Sequence, residues 1–116
     1  MKNKICTSIE QSKKLIELGL DVKTADMFWD TAEPEERRTP TVGLISDYYD
    51  MEDWAVPAWS IAALLDVLPK GTRLLKSATD DIYHCDCPKC NIDEWFDNPI
   101  DACVEMVCWL LENGKI

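Results

Sequence analysis

The pattern that most restricts the fold of this chain is a helical signal near its carboxyl end. Asn98 is suited to cap a helix, because its side chain can accept a hydrogen bond from a free backbone N–H, and Pro99 suits the first helical position. Asp101 then falls in the first turn, where the helix dipole favours an acid. Apolar residues follow at helical spacing: Ile100, Cys103, Val104, Val107 and Leu111. Together these features predict a helix near 99–113.

A second helix is predicted close to the amino end. Thr7 or Ser8 can cap it, and Glu10 or Gln11, three residues on, can complete a capping box. The apolar residues after this start recur with helical spacing, whereas the lysines point away from them. The expected helix runs from about residue 8 to 18.

The third predicted helix lies in the middle of the chain. Pro57 suits a first helical turn, since its missing N–H would have no partner there. From Trp59 to Leu68 the sequence is apolar nearly all round, which is typical of a helix buried on every side, and Pro69 stops it. We therefore expect a buried helix near 58–68.

Strand patterns fill part of the remaining sequence. Residues 22–29 alternate weakly with period two, and residues 41–45 could form a second strand after an exposed, proline-punctuated loop at 33–40. Residues 73–78 and 82–87 flank a polar turn and predict a β-hairpin.

These elements predict an α+β fold, with about three helices packed on one face of a small antiparallel sheet. At 116 residues, and with neither an internal repeat nor a linker, the chain is expected to form one domain over residues 1–116.

The charge is strongly acidic and unevenly placed. Twelve basic and 22 acidic residues give a formal charge of −10, which argues against a nucleic-acid backbone or an anionic lipid as partner. Residues 26–53 carry nine acids against Arg37 and Arg38, and residues 80–112 carry nine against Lys89. Such surfaces can simply keep the protein soluble, or they can dock a basic partner or imitate a nucleic-acid backbone.

The expected compartment is the cytoplasm. The first eight residues turn polar before any apolar run long enough for a signal peptide. The longest nearly apolar run, at 55–68, is too short to span a bilayer, so no membrane partner is expected. Thiols stay reduced in the cytoplasm, and the six cysteines are therefore expected to be buried side chains or metal ligands rather than disulfides.

A cysteine cluster offers one candidate site. Cys87 and Cys90 have the spacing of a zinc knuckle, and Cys85 would lie on the same side of an extended strand as Cys87, so Cys85, Cys87 and Cys90 could converge on a zinc or iron ion. No second close pair is present, although Cys6 could be a fourth ligand. The alternatives are uncoordinated, partly buried cysteines, or a redox-sensitive pair at Cys87 and Cys90.

Catalytic patterns are lacking, and we expect no enzymatic activity. His84 is the only histidine, and it would lie on the opposite side of a strand from its neighbour Cys85, which prevents a Cys-His dyad. The four glycines are scattered and form no phosphate-binding loop.

An acidic aromatic stretch is the second candidate site. Aromatic side chains are frequent at the centre of protein interfaces, and acidic neighbours would attract a basic partner. The alternative is that these aromatic rings pack beneath a loop. The residues predicted to bind a partner protein are Asp47, Tyr48, Tyr49, Asp50, Asp53 and Trp54. Elsewhere, Trp59 and Trp109 are expected in the core, and Trp95 or Phe96 is expected to staple the last helix.

Three segments carry a resemblance: 6–12 with 18–20, Val56-Pro57-Ala58-Trp59-Ser60, and Asp97-Asn98-Pro99-Ile100-Asp101-Ala102-Cys103. The chain resembles, over nearly its whole length, a group of small uncharacterised bacterial proteins encoded mostly in phages and other mobile elements. The resemblance implies a genomic context and a shared α+β fold. It implies no activity, because none of the three segments is a catalytic motif.

Overall fold

The computed structural model describes residues 4–43, 55–88, 90 and 93–116, and within them it confirms the α+β class. The helices are α1 (Ile9–Glu17), α2 (Ile61–Val67) and α3 (Pro99–Glu112). The strands are β1 (Met27–Asp30), β2 (Pro40–Val42), β3 (Ala55–Ala58), β4 (Arg73–Lys76) and β5 (Tyr83–Asp86). Two short 3-10 turns, Val22–Thr24 and Glu35–Arg37, precede β1 and β2.

The first and last helices begin where their capping residues predict. Ser8 caps α1: its side chain accepts from the Gln11 N–H, and the Gln11 side chain accepts from the Ser8 N–H, which makes a complete capping box. Asn98 caps α3 by accepting from the Asp101 N–H, with Pro99 at the first helical position. Both predicted helices are thus confirmed, and each end agrees with the prediction to within one residue.

The predicted start of the middle helix is wrong. Pro57 lies in β3, opposite Phe28 of β1, and α2 begins only after Ser60, whose side chain accepts from the Ala63 N–H. Proline is tolerated in β3 because this strand forms an edge of the described sheet, where an N–H need not join a ladder. The helix is consequently shorter than predicted.

The described strands form two antiparallel sheets where the sequence suggested one. In the first, β1 lies between β2 and β3, and Met27 is opposite Val42 on one side and Ala58 on the other. In the second, β4 pairs with β5, which confirms the predicted hairpin. The predicted strand at 22–29 is only partly correct, because the Asp21 carboxylate accepts from the Lys23 N–H and turns the chain before β1.

The helices divide between the two sheets. Helix α1 packs against β3, whereas α3 packs against β4, β5, α1 and α2. Packing of all three helices on one face of a single sheet is therefore not confirmed. The largest fully buried side chains of the main core include Trp59, Leu15, Leu64, Ile100, Met106 and Leu110, whereas Trp109 is only partly buried at its margin.

A buried hydrogen-bond network around Thr7 links the amino-terminal segment to the core. The Thr7 N–H donates to the Trp59 carbonyl at 2.9 Å, and the Thr7 hydroxyl accepts from the Trp59 N–H at 3.1 Å. The same hydroxyl lies 2.7 Å from that of Ser12, and the Trp29 indole donates to the Thr7 carbonyl at 2.9 Å. Thr7 and Ser12 are fully buried, so these bonds replace water entirely.

Candidate interaction surface

The β4–β5 hairpin has one face toward the core and one face away from it. Side chains alternate along a strand, so Leu74 and its cross-strand partner Cys85 lie on the inner face with Tyr83, and all three belong to or pack on the main core. Leu75 and its partner His84 then lie on the outer face. Leu75 is 39% exposed there, although it is a large apolar residue.

A short segment after the cysteine turn runs beside β5 and places an aromatic ring on this outer face. Tyr83 and Phe96 exchange two backbone hydrogen bonds, of 2.7 and 2.8 Å. Phe96 packs on the core, and its neighbour Trp95 lies on the opposite side, with its ring centroid 5.2 Å from that of His84. Trp95 is 44% exposed.

The histidine is held in place by a second contact. Its Nδ1 lies 2.9 Å from the Glu94 carbonyl oxygen, so the ring is fixed between the backbone of residue 94 and the Trp95 indole. We call Leu75, His84 and Trp95 the hairpin surface. It is an apolar and aromatic patch built on paired backbone.

Charge around the hairpin surface is asymmetric. Three exposed acids, Asp93, Glu94 and Asp97, lie within two residues of Trp95 in the sequence. On the β4 side, Arg73 donates to Asp86 at 2.6 Å, and both side chains remain partly exposed. A ligand on this surface would therefore meet negative charge beside the indole and a neutralised ion pair beside Leu75.

The predicted metal site is not found among the described residues, which contain no group of three or more Cys, His, Asp or Glu side chains able to hold an ion. The tight turn does bring Cys87 and Cys90 together, with the Cys90 N–H donating to the Cys87 carbonyl at 3.1 Å. Cys85 lies in the main core together with Cys87, and its thiol interacts with that of Cys103 on α3. Cys6 lies in a separate cluster with Met27 and Ala58.

The environment of Cys85 suits a packed thiol rather than a ligand. The hydrogen bond with Cys103, together with burial, raises the pKa of the Cys85 thiol, and the side chain is only 3% exposed. All six cysteines, each of which the structure describes, are thiols, and Cys90 alone among them is not fully buried. His84 lies on the side of β5 opposite Cys85, as predicted.

The predicted partner-binding residues, Asp47, Tyr48, Tyr49, Asp50, Asp53 and Trp54, lie outside the described residues. The structure does describe the strands on either side of them. Strand β2 ends before this segment and β3 begins after it, and the two strands occupy opposite edges of the first sheet.

A second apolar feature lies at the start of α1. Ile5, Cys6, Trp29 and Pro40 line a hollow of about 300 Å³, with Lys4 and Ser8 at its rim. Ile5 is 60% exposed. Among the described residues the lining of the hollow is mostly apolar, and Lys4 is its one charged member.

Lys4 also belongs to a polar network that joins the starts of α1 and α3. The Asp101 carboxylate accepts from Lys4 at 2.9 Å, from the Gln11 amide at 2.7 Å and from the Asn98 amide at 2.8 Å. Partial burial alone would raise the pKa of Asp101, but the hydrogen bonds from Lys4 and Gln11 outweigh it and lower the pKa below its usual value. All these groups satisfy one another, so the network is a structural clamp.

The exposure of Trp95 is not predicted from the sequence, where Trp95 and Phe96 are equivalent candidates for a hydrophobic staple onto the last helix. A signal was present: Trp95 follows Asp93 and Glu94 directly and precedes Phe96, and adjacent residues on an extended segment point to opposite sides. One of the two rings therefore had to face away from the core, next to the acids.

Comparison with known proteins adds no functional information. No protein-family model matches the chain, and neither a curated protein nor a solved structure is significantly similar to it. None of the helices in the described part of the chain is long and apolar enough to cross a membrane.

Proposed function

We propose that this protein is a small, non-enzymatic accessory protein that acts in the cytoplasm by binding another protein. The observation that carries this proposal is the hairpin surface, where the exposed Leu75 and Trp95 flank His84. Tryptophan is among the residues most enriched at interface hot spots, and a ring already fixed against His84 loses little conformational entropy on binding.

The rest of the proposal has separate support. The only histidine is engaged with the Glu94 carbonyl and faces away from Cys85, which favours a binding role over nucleophilic catalysis. The resemblance to proteins of phages and other mobile elements favours an accessory role in such an element. The acidic aromatic residues 47–54 are proposed as an extension of the same binding activity.

Site-specific photo-crosslinking in the expressing cell tests this function. A photoreactive amino acid at position 95 should yield a discrete covalent adduct with another protein. The matched control carries it at Glu36, an exposed residue in the 3-10 turn before β2. The absence of an adduct from position 95, or the same adducts from position 36, would contradict the proposal.

A second variant tests the acidic aromatic segment. Replacing Asp47, Asp50 and Asp53 with lysine should weaken capture of the crosslinked partner, because attraction to its charge is reversed. An unchanged yield would remove residues 47–54 from the proposed binding surface, while leaving the hairpin surface in place.

A further inference from the structure

The hairpin surface has a charge pattern that narrows the chemistry of its partner. Three exposed acids, Asp93, Glu94 and Asp97, lie within two residues of the exposed Trp95 in the sequence. None of them forms an ion pair within the part of the chain that the structure describes. Their charge is therefore available to an incoming ligand.

The opposite side of the surface differs. Arg73, on the same face as Leu75, donates to Asp86 at 2.6 Å. Lys76 lies on the other face with its cross-strand partner Tyr83, 5.6 Å from that ring centroid and 3.5 Å from Asp81. The cations of β4 are thus already paired with carboxylates. Strand β4 therefore offers a ligand little net charge beside the exposed Leu75.

From this pattern we infer that the hairpin surface docks a basic segment of another protein, with an apolar side chain on Leu75 and His84 and an arginine or lysine over Trp95. This inference rests on the proposed function and names the partner's chemistry. An indole face attracts a cation, and the exposed acids that flank Trp95 in the sequence reinforce that attraction. The partner's apolar side chain adds to the affinity by burying apolar surface of Leu75 and His84, which charge attraction alone does not do.

Two other occupants fit the surface less well. A nucleic acid would bring phosphates against the three acids, which repel it. A second copy of this chain would bring its own acids, since the formal charge is −10. A basic protein segment fits better, because it can place an apolar side chain on the patch and positive charge near the acids.

Binding of three labelled peptides to the whole protein, followed by fluorescence anisotropy, tests the inference. The first peptide alternates arginine with leucine, the second replaces the leucines with serine, and the third replaces the arginines with glutamine. The first should bind most tightly, and its affinity should fall by at least about tenfold between about 50 mM and about 500 mM salt.

Substitutions in the protein locate the binding. Trp95→Ala, and separately the pair Asp93→Asn with Glu94→Gln, should each weaken the first peptide at least about fivefold. The pair Glu35→Gln with Glu36→Gln removes the same charge from the turn before β2, and Val42→Ala trims an exposed apolar residue of β2. Both controls should bind the peptide as the unmodified protein does.

Several results would overturn the inference, and they separate it from the proposed function. If the Glu35→Gln, Glu36→Gln control weakened peptide binding as much as the Asp93→Asn, Glu94→Gln variant does, the effect would be general charge attraction. The same conclusion would follow if the serine peptide bound as tightly as the first peptide. Tight, salt-insensitive binding of the glutamine peptide that is lost only in Trp95→Ala would refute a basic partner while supporting protein binding at this surface. Sedimentation showing a dimer that Trp95→Ala dissociates would assign the surface to a second copy.

Discussion

Asp101→Asn tests how far the clamp between α1 and α3 stabilises the fold. The substitution keeps the shape of the side chain and one acceptor oxygen, but it removes the charge that Lys4, Gln11 and Asn98 share. The free energy of unfolding should fall, because all three donors face this carboxylate and because the acid also favours the start of α3.

The expected loss follows from these contacts. The Lys4 pair is partly exposed, with 37% and 31% of the two side chains accessible, so it contributes about 0.5 kcal/mol. The favourable position near the helix start adds about 0.5 kcal/mol. The amide oxygen of the asparagine keeps a neutral hydrogen bond with Gln11, and the loss of its charge costs about 0.5 kcal/mol. The amide NH2 then faces the Asn98 donor, and this lost hydrogen bond costs about 1 kcal/mol. The sum is about 2.5 kcal/mol, or about 10 °C in melting temperature for a chain of this size.

The loss should also depend on pH in a defined direction. The pKa of Asp101 is lower in the folded protein than in the unfolded chain, where it is about 3.9. Its stabilisation is therefore fully present above about pH 5 and disappears as the pH falls through the folded-state pKa. The difference in free energy of unfolding between Asp101→Asn and the unmodified protein should therefore become smaller as the pH is lowered.

Urea unfolding followed by tryptophan fluorescence, at neutral pH and at successively lower pH, measures both effects. Lys4→Met and the double variant supply a thermodynamic cycle that should assign less than about 1 kcal/mol to the ion pair. A loss below about 0.5 kcal/mol at neutral pH, or a loss that stays constant as the pH falls below about 3, would refute this account of the clamp.

Two further predictions concern the buried interior. Thr7→Val keeps the side-chain shape but leaves the Trp59 N–H and the Ser12 hydroxyl without their partner. The free energy of unfolding, measured by chemical denaturation, should fall by about 2–4 kcal/mol. A decrease below about 1 kcal/mol would contradict the role given to the hydrogen-bond network around Thr7. Protein purified without chelator should contain far less than stoichiometric zinc, because the Cys85 thiol interacts with Cys103 and the described residues contain no group of three or more side chains able to hold an ion. Elemental analysis beside the Cys87→Ser, Cys90→Ser variant checks this, and stoichiometric zinc lost in the variant would restore the metal site.

The sequence predicts best those elements whose signals are local. The caps at Ser8 and Asn98 and the apolar spacing behind them give α1 and α3 correctly, and the polar turn gives the β4–β5 hairpin. Each signal depends on residues only a few positions apart, so no knowledge of the rest of the chain is required.

The errors come from contacts between distant residues. Pro57 is compatible with a first helical turn and equally with an edge strand, and its pairing with Phe28 decides between them. Likewise, no local pattern states that the strands divide into two sheets, or that residues 95 and 96 run beside β5. The candidate surface was missed for this reason, because it exists only once Trp95 is brought to His84.

The ties of the amino-terminal segment also have a consequence for folding. Lys4 and Asp101 are 97 positions apart, and Thr7 and Trp59 are 52 apart, yet both pairs are bonded in the native structure. Contacts this distant in sequence require large loops to close before they contribute, and folding rates fall as such contacts come to dominate. We therefore expect α3 and the hairpin to form early from local contacts, and the segment around Thr7 to dock late, as the step that completes the core.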